Sequence, residues 1–156
     1  MKKLLILAIA ALCILLAGCN NSFAKEEYEN TSKIAATDRY AETGSVKESF
    51  YNGFHFKAKS FDGRETLLTN TNPEGAFEIT ATIALSLSEG TAKLVMIDGE
   101  GNVSTLAECT AESGAQLVEK RITIPSGECV FKLVGHGCKE VEMQMTLDYE
   151  KASVSR

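Results

Sequence analysis

The chain of 156 residues contains no Trp, only two Pro and only two His. So few His leave little material for a general base or a metal site, and no Gly-x-Ser-x-Gly motif offers an activated serine. Basic residues are also outnumbered, 16 against 21 acidic ones, and they form no stripe. Such a chain gains nothing from phosphate groups. We therefore expect no catalytic residue, no cofactor, no metal site and no binding of nucleic acid.

Long apolar runs are absent except near the N-terminus, where residues 4–16 are uncharged. Two lysines precede this run, and its 13 residues are too few to span a bilayer, which takes about 20 residues. A basic start and a short apolar run are typical of a secretory signal. The following Leu16-Ala17-Gly18-Cys19 closely resembles the lipobox of bacterial lipoproteins. This resemblance implies cleavage between Gly18 and Cys19 and a diacylglycerol on the Cys19 sulfur.

The resemblance to lipoproteins also implies a location. The lipid on Cys19 would hold the protein at the extracytoplasmic face of the cell membrane, so the membrane is its first expected partner. Asn20 stands where an Asp would resemble an inner-membrane retention signal, which allows the outer membrane in a host with two membranes. Removal of Lys2 and Lys3 with the signal leaves 14 basic and 21 acidic residues, a net charge of −7.

The chain divides into four expected segments. These are a signal peptide at 1–18, the lipidated Cys19 with a flexible tether at 19–45, a β-sandwich domain at 46–150 and a C-terminal tail at 151–156. The tether is predicted because the residues from Asn20 to about Ala36 are polar, charged and without sustained periodicity. A short helix from Lys25 is the alternative, although such a helix would be marginal in isolation.

Alternation of apolar and polar residues predicts β-strands along most of the domain. Every second residue is apolar in Phe77–Leu87 and in Val141–Tyr149, which is typical of a strand with one face in a core and one in water. Further strands are expected at 46–51, 54–61, 64–69, 91–97, 103–109, 117–124 and 128–135. Eight or nine short strands separated by Gly, Asn and Pro turns predict an all-β fold. We favour an antiparallel two-sheet β-sandwich of jelly-roll type over a barrel.

The aromatic-rich segment around residues 50–61 predicts a hairpin with Asn52-Gly53 as its turn. That turn would pair Tyr51 with Phe54 on the inner face and Phe50 with His55 on the outer face. Two interpretations of Phe50 and His55 stand: a pair that stacks on a sugar ring or a partner side chain, and a cross-strand pair that only stabilises the hairpin.

The cysteines behind Cys19 are Cys109, Cys129 and Cys138, and an exported protein can form disulfides. If the strands run up and down in turn, Cys109 and Cys138 lie at one end of the sandwich and Cys129 at the other, about 20 Å away. A bridge needs Cα atoms within about 7 Å. Cys109 and Cys138 are therefore the candidate disulfide, and three reduced thiols are the alternative.

Two glycine-rich loops carry residues that also occur in metal sites. His136 and Cys138 stand two apart, and Asp98-Gly99-Glu100-Gly101-Asn102 resembles the start of a calcium loop. The first lacks further ligands at zinc spacing, and the second lacks the required Gly and Glu downstream. A solvated His and a hairpin turn explain the same residues, so no metal is expected.

Two hypotheses for the molecular role remain. The first is an accessory or protein-interaction lipoprotein with a partner in the cell envelope, which would expose a flat apolar patch. The alternative is a β-sandwich that binds a small ligand such as a carbohydrate, which needs a concave site with exposed aromatics. The lack of Trp argues against a typical carbohydrate platform, so the sequence alone favours the first hypothesis.

Overall fold

The structure is a computed structural model that describes residues 22–154, with side chains described over residues 25–149. This part of the chain contains two short helices and eight strands. Their bounds are α1 Ser22–Glu29, α2 Thr31–Ala35, β1 Arg39–Thr43, β2 Val46–Phe50, β3 Gly53–Asn72, β4 Phe77–Ser86, β5 Glu89–Ile97, β6 Val103–Thr110, β7 Gln116–Ile124 and β8 Gly127–Val154. No helix within residues 22–154 is long and apolar enough to cross a membrane.

All strand pairs are antiparallel, and the two long strands β3 and β8 pass through both layers of the fold. Their halves at 53–61 and 138–154 join β2, β4 and β7 in one layer, which we call the front sheet. Their halves at 63–72 and 127–135 join β5 and β6 in the other, the back sheet. This confirms the predicted all-β antiparallel sandwich.

The bends of β3 and β8 lie where the sequence predicts turns. Pairing of the two strands skips a residue between Phe61 and Gly63, and Gly63 has a φ of 115°. A Cβ at Gly63 would lie 2.1 Å from the Arg39 carbonyl oxygen, so only glycine fits beneath β1. Gly137 bends β8 with a φ of 61°. At both positions the glycine bends a strand that continues. The short strands predicted on either side of each glycine are therefore joined into the long strands β3 and β8.

The core lies between the two sheets and follows the predicted alternation. The odd-numbered residues of β4 from Ile79 to Leu85 and of β8 from Val141 to Leu147 are buried, and Phe131, Leu133 and Leu94 meet them from the back sheet. These inner residues of β4 and β8 are Ile79, Ala81, Ile83, Leu85, Val141, Met143, Met145 and Leu147. Burial of one such aliphatic side chain contributes about 1.5–3 kcal/mol.

The outer face of the back sheet is covered by residues 22–38, which we call the N-terminal strap. Helices α1 and α2 place Tyr28 and Ile34 against the outward Val95, Ile97 and Val134, and both strap side chains are at least 95% buried. The flexible tether expected over 19–45 is therefore corrected for its described part. The strap is ordered because it covers apolar residues that the back sheet would otherwise expose to water.

Polar contacts fix the strap in place. The carboxylate of Glu27 pairs with the guanidinium of Arg64, both side chains being at least 93% buried. The hydroxyl of Tyr28 donates to Glu108 over 2.6 Å. Burial and this hydrogen bond raise the pKa of Tyr28 well above its usual value. The strap is thus attached to β3 and β6 as well as packed on β5 and β8.

The strap ends at Asp38, whose carboxylate lies 2.9 Å from the buried Lys132 ammonium and accepts the Thr66 amide. Burial disfavours the charged form of Asp38, yet the hydrogen bonds from Thr66 and Lys132 outweigh it and hold the pKa of Asp38 below its usual value. Lys132 also donates to the Ala36 carbonyl. The last turn of the strap is therefore tied to β3 and β8.

Candidate functional site

The outer face of the front sheet carries small and polar side chains at its centre. Pairing places Thr146 of β8 beside Thr82 of β4 and, one row on, Gln144 beside Ala84. Gly53 of β3 continues the first row and Leu117 of β7 the second. A row of small residues between larger neighbours makes a depression, which we call the front groove.

The front groove consists of two hollows that follow one another along β4 and β8. The first, of about 510 Å³, lies around Thr82, Thr146 and Asp148 and is bounded by the turn at Tyr51. The second, of about 320 Å³, lies around Ala84 and Gln144. From Asp148 to Glu142 the groove extends about 20 Å at the usual rise of a strand.

Aromatic rings form one wall of the groove. Tyr51 is 92% exposed, and its ring centroid lies 5.7 Å from that of Tyr149 at an angle of 44°. Tyr149 in turn lies 6.4 Å from Phe77 and accepts a hydrogen bond from Asn70. The ring of Tyr51 therefore packs on that of Tyr149, which Phe77 and Asn70 hold in place, and its other face is exposed to solvent.

The turn that carries Tyr51 differs from the predicted one. Tyr51 and Asn52 form it, and Phe50 lies opposite Gly53. Asn52 accepts the Leu147 amide over 2.7 Å and donates to the Leu147 carbonyl, which extends the pairing with β8. A Cβ at Gly53 would lie 1.9 Å from the Met145 carbonyl oxygen, so Gly53 is needed for close strand approach and not for the turn.

The pairing of β2 with β3 is shifted by two residues from the predicted register. Because successive side chains of a strand alternate between its two faces, a shift of two changes the cross-strand partners and leaves most side chains on the predicted face. Phe50 and His55 share the outer face as expected, and Phe54 is buried on the inner one. Phe50 and His55 are nevertheless not cross-strand partners, since His55 pairs with Glu48. Tyr51, expected inside, is exposed. The predicted direct cross-strand pairing of Phe50 with His55 is therefore wrong.

His55 belongs instead to a polar cluster near the far end of the groove. Its Nε2 lies 3.0 Å from Glu142 Oε1, and its Nδ1 lies 3.7 Å from Glu48 Oε2. Hydrogen bonds from His55 and then Lys57 hold the pKa of Glu142 below its usual value. This cluster fixes His55 as a polar group beside the groove.

The charges around the groove are mostly negative. Glu142 and Asp148 line it, and Glu119 follows Thr82 in the same row. Arg121 of β7 is engaged by Glu78 over 3.1 Å. The groove therefore offers hydroxyl, amide and carboxylate groups, with no concentrated positive charge among the residues that line it.

The three cysteines of the domain are buried free thiols. Cys109 donates to the Gly114 carbonyl over 3.0 Å, and Cys138 donates to the Thr91 carbonyl over 3.0 Å. Burial raises the pKa of Cys138 to about 12 and that of Cys129 to about 11. The proposed Cys109–Cys138 bridge is not formed in this structure, in which all three thiols are reduced.

The two loops that resemble metal sites have structural explanations. His136 Nδ1 lies 3.6 Å from Asp62 Oδ1 in the bend of β8. Asp98 accepts the amides of Glu100 and Asn102 over 2.9 Å each, which closes the turn between β5 and β6. Within residues 22–154 no three His, Cys, Asp or Glu residues are grouped to hold a metal ion.

No protein-family model and no curated protein matches the chain. Among solved structures, the chain is similar to the carbohydrate-binding module CBM6cm-2 from Cellvibrio mixtus lichenase 5A in complex with cellotriose. Identity is 12%, the TM-score is 0.40, and the match covers 69% of this chain and 88% of that one.

Two further carbohydrate-binding modules are similar in structure. For TmCBM61 in complex with beta-1,4-galactotriose, identity is 15%, the TM-score is 0.40, and coverage is 72% of this chain and 88% of that one. For CBM35 from Paenibacillus barcinonensis, identity is 16%, the TM-score is 0.36, and coverage is 72% and 98%.

Proposed function

We propose that the protein is a surface lipoprotein whose β-sandwich binds an extended, uncharged glycan in the front groove without acting on it chemically. One observation carries this proposal: an open groove of small and polar side chains, about 20 Å long, runs along β4 and β8 beside an exposed tyrosine.

The chemistry of the groove suits a sugar chain. A pyranose ring has an apolar C–H face that packs on an aromatic ring, and Tyr51 offers such a ring to solvent. Its hydroxyls need short polar partners, which Thr82, Thr146 and Gln144 provide from the groove floor. A few polar groups beside an apolar contact surface are typical of small-molecule sites.

The charge of the groove favours an uncharged glycan over an acidic one. Glu142 and Asp148 line the groove, and Glu119 lies beside it. A uronate or sulfate group near Asp148 and Glu119 would meet negative charge, whereas the nearby His55 and Lys57 are already paired with Glu142. The groove is open to solvent along its length, which suits the interior of a linear chain better than a single sugar.

An accessory role with a protein partner has less support. It would need a contiguous apolar patch, whereas the exposed large apolar side chains of the described residues are spread over β1, β2, the following turn and β7. They are Tyr40, Val46, Phe50, Tyr51 and Leu117.

The membrane anchor is part of the same proposal and rests on the lipobox resemblance. Cys19 would carry the lipid after cleavage behind Gly18, and both residues lie outside the described part of the chain. Display at the extracytoplasmic face would bring the groove to glycans of the cell surface or its surroundings. Mass spectrometry of the protein from a bacterial membrane fraction tests for the acylated Cys19.

Binding is tested by calorimetric titration of the full chain with neutral β-linked glucan and galactan oligosaccharides, and with polygalacturonate as the acidic comparison. We expect a neutral glycan to bind and polygalacturonate not to bind. Absence of binding to every neutral glycan in a broad array of linkages would contradict the proposal.

The location is tested by Ala84→Arg, which places a long side chain in the middle of the groove. Thr123→Arg is the matched control, because Thr123 is exposed on the same face of β7 outside both hollows. We expect Ala84→Arg to weaken binding more than tenfold and Thr123→Arg to leave it unchanged. Thr123→Arg at its exposed site should alter stability by less than about 0.5 kcal/mol, and thermal unfolding checks that the half-buried Ala84→Arg variant is folded. Equal binding by both variants would place the ligand elsewhere.

A further inference from the structure

We infer that the N-terminal strap holds the back of the sandwich against the membrane, so that the front groove opens away from the bilayer. This inference rests on the lipid anchor of the proposed function. Its partner is the bilayer surface, and the protein surface that meets it is the strap side of the back sheet.

The strap is docked on the back sheet and is not a free linker. Ile34 is 1% exposed and Tyr28 is 5% exposed beneath the helices. Glu27 pairs with the buried Arg64, and Lys132 binds Asp38 and the Ala36 carbonyl. Apolar and polar contacts therefore fix the strap to the back sheet from Glu27 to Asp38.

The proposed anchor and the strap are close together along the chain. Only two residues separate Cys19 from the start of α1 at Ser22. Three residue steps extend at most about 11 Å. A free spacer of about 17 residues, as the sequence suggests, would instead have a mean end-to-end distance of about 23 Å. The lipid would therefore hold α1, and with it the back sheet, close to the bilayer.

The groove and the strap lie on opposite faces of the sandwich. The strap covers the outer face of the back sheet, whereas Thr82, Ala84 and Gln144 lie on the outer face of the front sheet. Two packed sheets are about 10 Å apart, and the strap adds a further layer on the membrane side. The groove is therefore on the far side of the molecule from the anchor.

The exposed side chains of α1 and α2 do not oppose this arrangement. Lys25 and Lys33 balance Glu26 and Glu29 on the solvent side of the helices. An electrically balanced surface is neither strongly attracted to nor repelled from anionic lipid headgroups. The lipid and the short connection, rather than surface charge, set the orientation.

The test is energy transfer from a single donor dye to acceptor-labelled lipids in the membrane fraction of bacteria that express the full chain. The dye is attached by maleimide at Lys33→Cys on the strap or at Gln144→Cys in the groove. The unsubstituted chain gives the background, because its domain thiols are buried. We expect transfer at least twofold more efficient from position 33 than from position 144.

A control variant carries a 15-residue Gly/Ser linker inserted before Ser22, which should make the two efficiencies nearly equal. Equal transfer without the linker, or stronger transfer from position 144, would overturn the inferred orientation. Absence of the chain from the membrane fraction would overturn the anchor as well. Glycan titration of the purified chain fails or succeeds independently, so a failure of orientation is distinguishable from a failure of the groove.

Discussion

The two outer faces of the sandwich have the same strand geometry, but one is covered by another segment of the chain and the other is exposed to solvent. On the back sheet the outward residues include Val95, Ile97 and Val134, and the N-terminal strap covers them. On the front sheet the equivalent positions hold Thr82 and Ala84 at the centre, and they stay in contact with solvent. The difference indicates that the outward residues of a strand decide whether a face is covered by another segment of the chain or stays exposed to solvent.

The largest expected effect comes from loosening the covered face. Glu27→Ala leaves the buried guanidinium of Arg64 with the Thr37 carbonyl but without a close carboxylate. Loss of one partner of a buried ion pair costs about 3–5 kcal/mol, and we expect about 3 kcal/mol because Thr37 remains. Urea unfolding followed by circular dichroism measures this loss.

Glu26→Ala is the matched control for the strap, since Glu26 is the exposed neighbour of Glu27 in α1. We expect it to change the free energy of unfolding by less than about 0.5 kcal/mol. If the two variants were equally stable, the strap would not be held by the buried pair.

A smaller effect is expected at the edge of the open face, from Gly53→Ala. The added Cβ would meet the Met145 carbonyl oxygen at 1.9 Å and the Phe50 ring at 2.8 Å. Overpacking of this kind costs about 1–3 kcal/mol. Because β3 and β8 must move apart, glycan binding should weaken as well. Thermal unfolding and titration measure the two effects, and a variant with unchanged stability would show that the strands do not need this close approach.

The smallest expected effect is on the pH dependence of stability. It compares a carboxylate on the covered face with one on the open face. The folded-state pKa of Asp38 lies below its unfolded value. Asp38 therefore adds stability above pH 4, roughly its unfolded pKa, and this stability is lost as the pH falls through the folded pKa. We expect Asp38→Asn to cost about 1 kcal/mol at pH 7 and progressively less as the pH falls below 4.

Glu142→Gln is the matched control on the open face, because Glu142 also has a lowered pKa but is exposed to solvent. Screening should limit its effect to less than about 0.5 kcal/mol at any pH. Unfolding curves between pH 2 and pH 7 compare the two variants. An equal loss for both would remove the distinction between the covered and open faces.

Most of the sandwich could be predicted from the sequence because alternation reports directly on burial. Ile79 to Leu85 and Val141 to Leu147 fill the core as the period of two requires. The joining of the short strands into β3 and β8 could not be predicted, because Gly63 and Gly137 read as turns in the sequence. Gly63 is required because a Cβ there would meet the Arg39 carbonyl oxygen, whereas nothing lies within 4 Å of a Cβ at Gly137, where the positive φ explains the glycine.

The strap and the groove could not be predicted for a different reason. Tyr28 and Ile34 stand six residues apart in a polar segment, too sparsely for helical periodicity. The available signal lies on their partner strand, because Leu94-Val95-Met96-Ile97 is an unbroken apolar run, typical of a strand buried on both faces. The groove depends on which small residues share a row, and its rows join β4 to β8, two strands that are far apart in the sequence and whose register no local turn sets.

The continuity of β3 and β8 through both sheets has a consequence for amide hydrogen exchange. Neither sheet can open fully while β3 and β8 remain paired. The amides of the two sheets should therefore exchange with solvent through one shared opening event. A ligand that binds only the folded state raises the free energy of that opening. A glycan seated in the front groove should therefore slow exchange in β5 and β6 of the back sheet, although it touches neither strand.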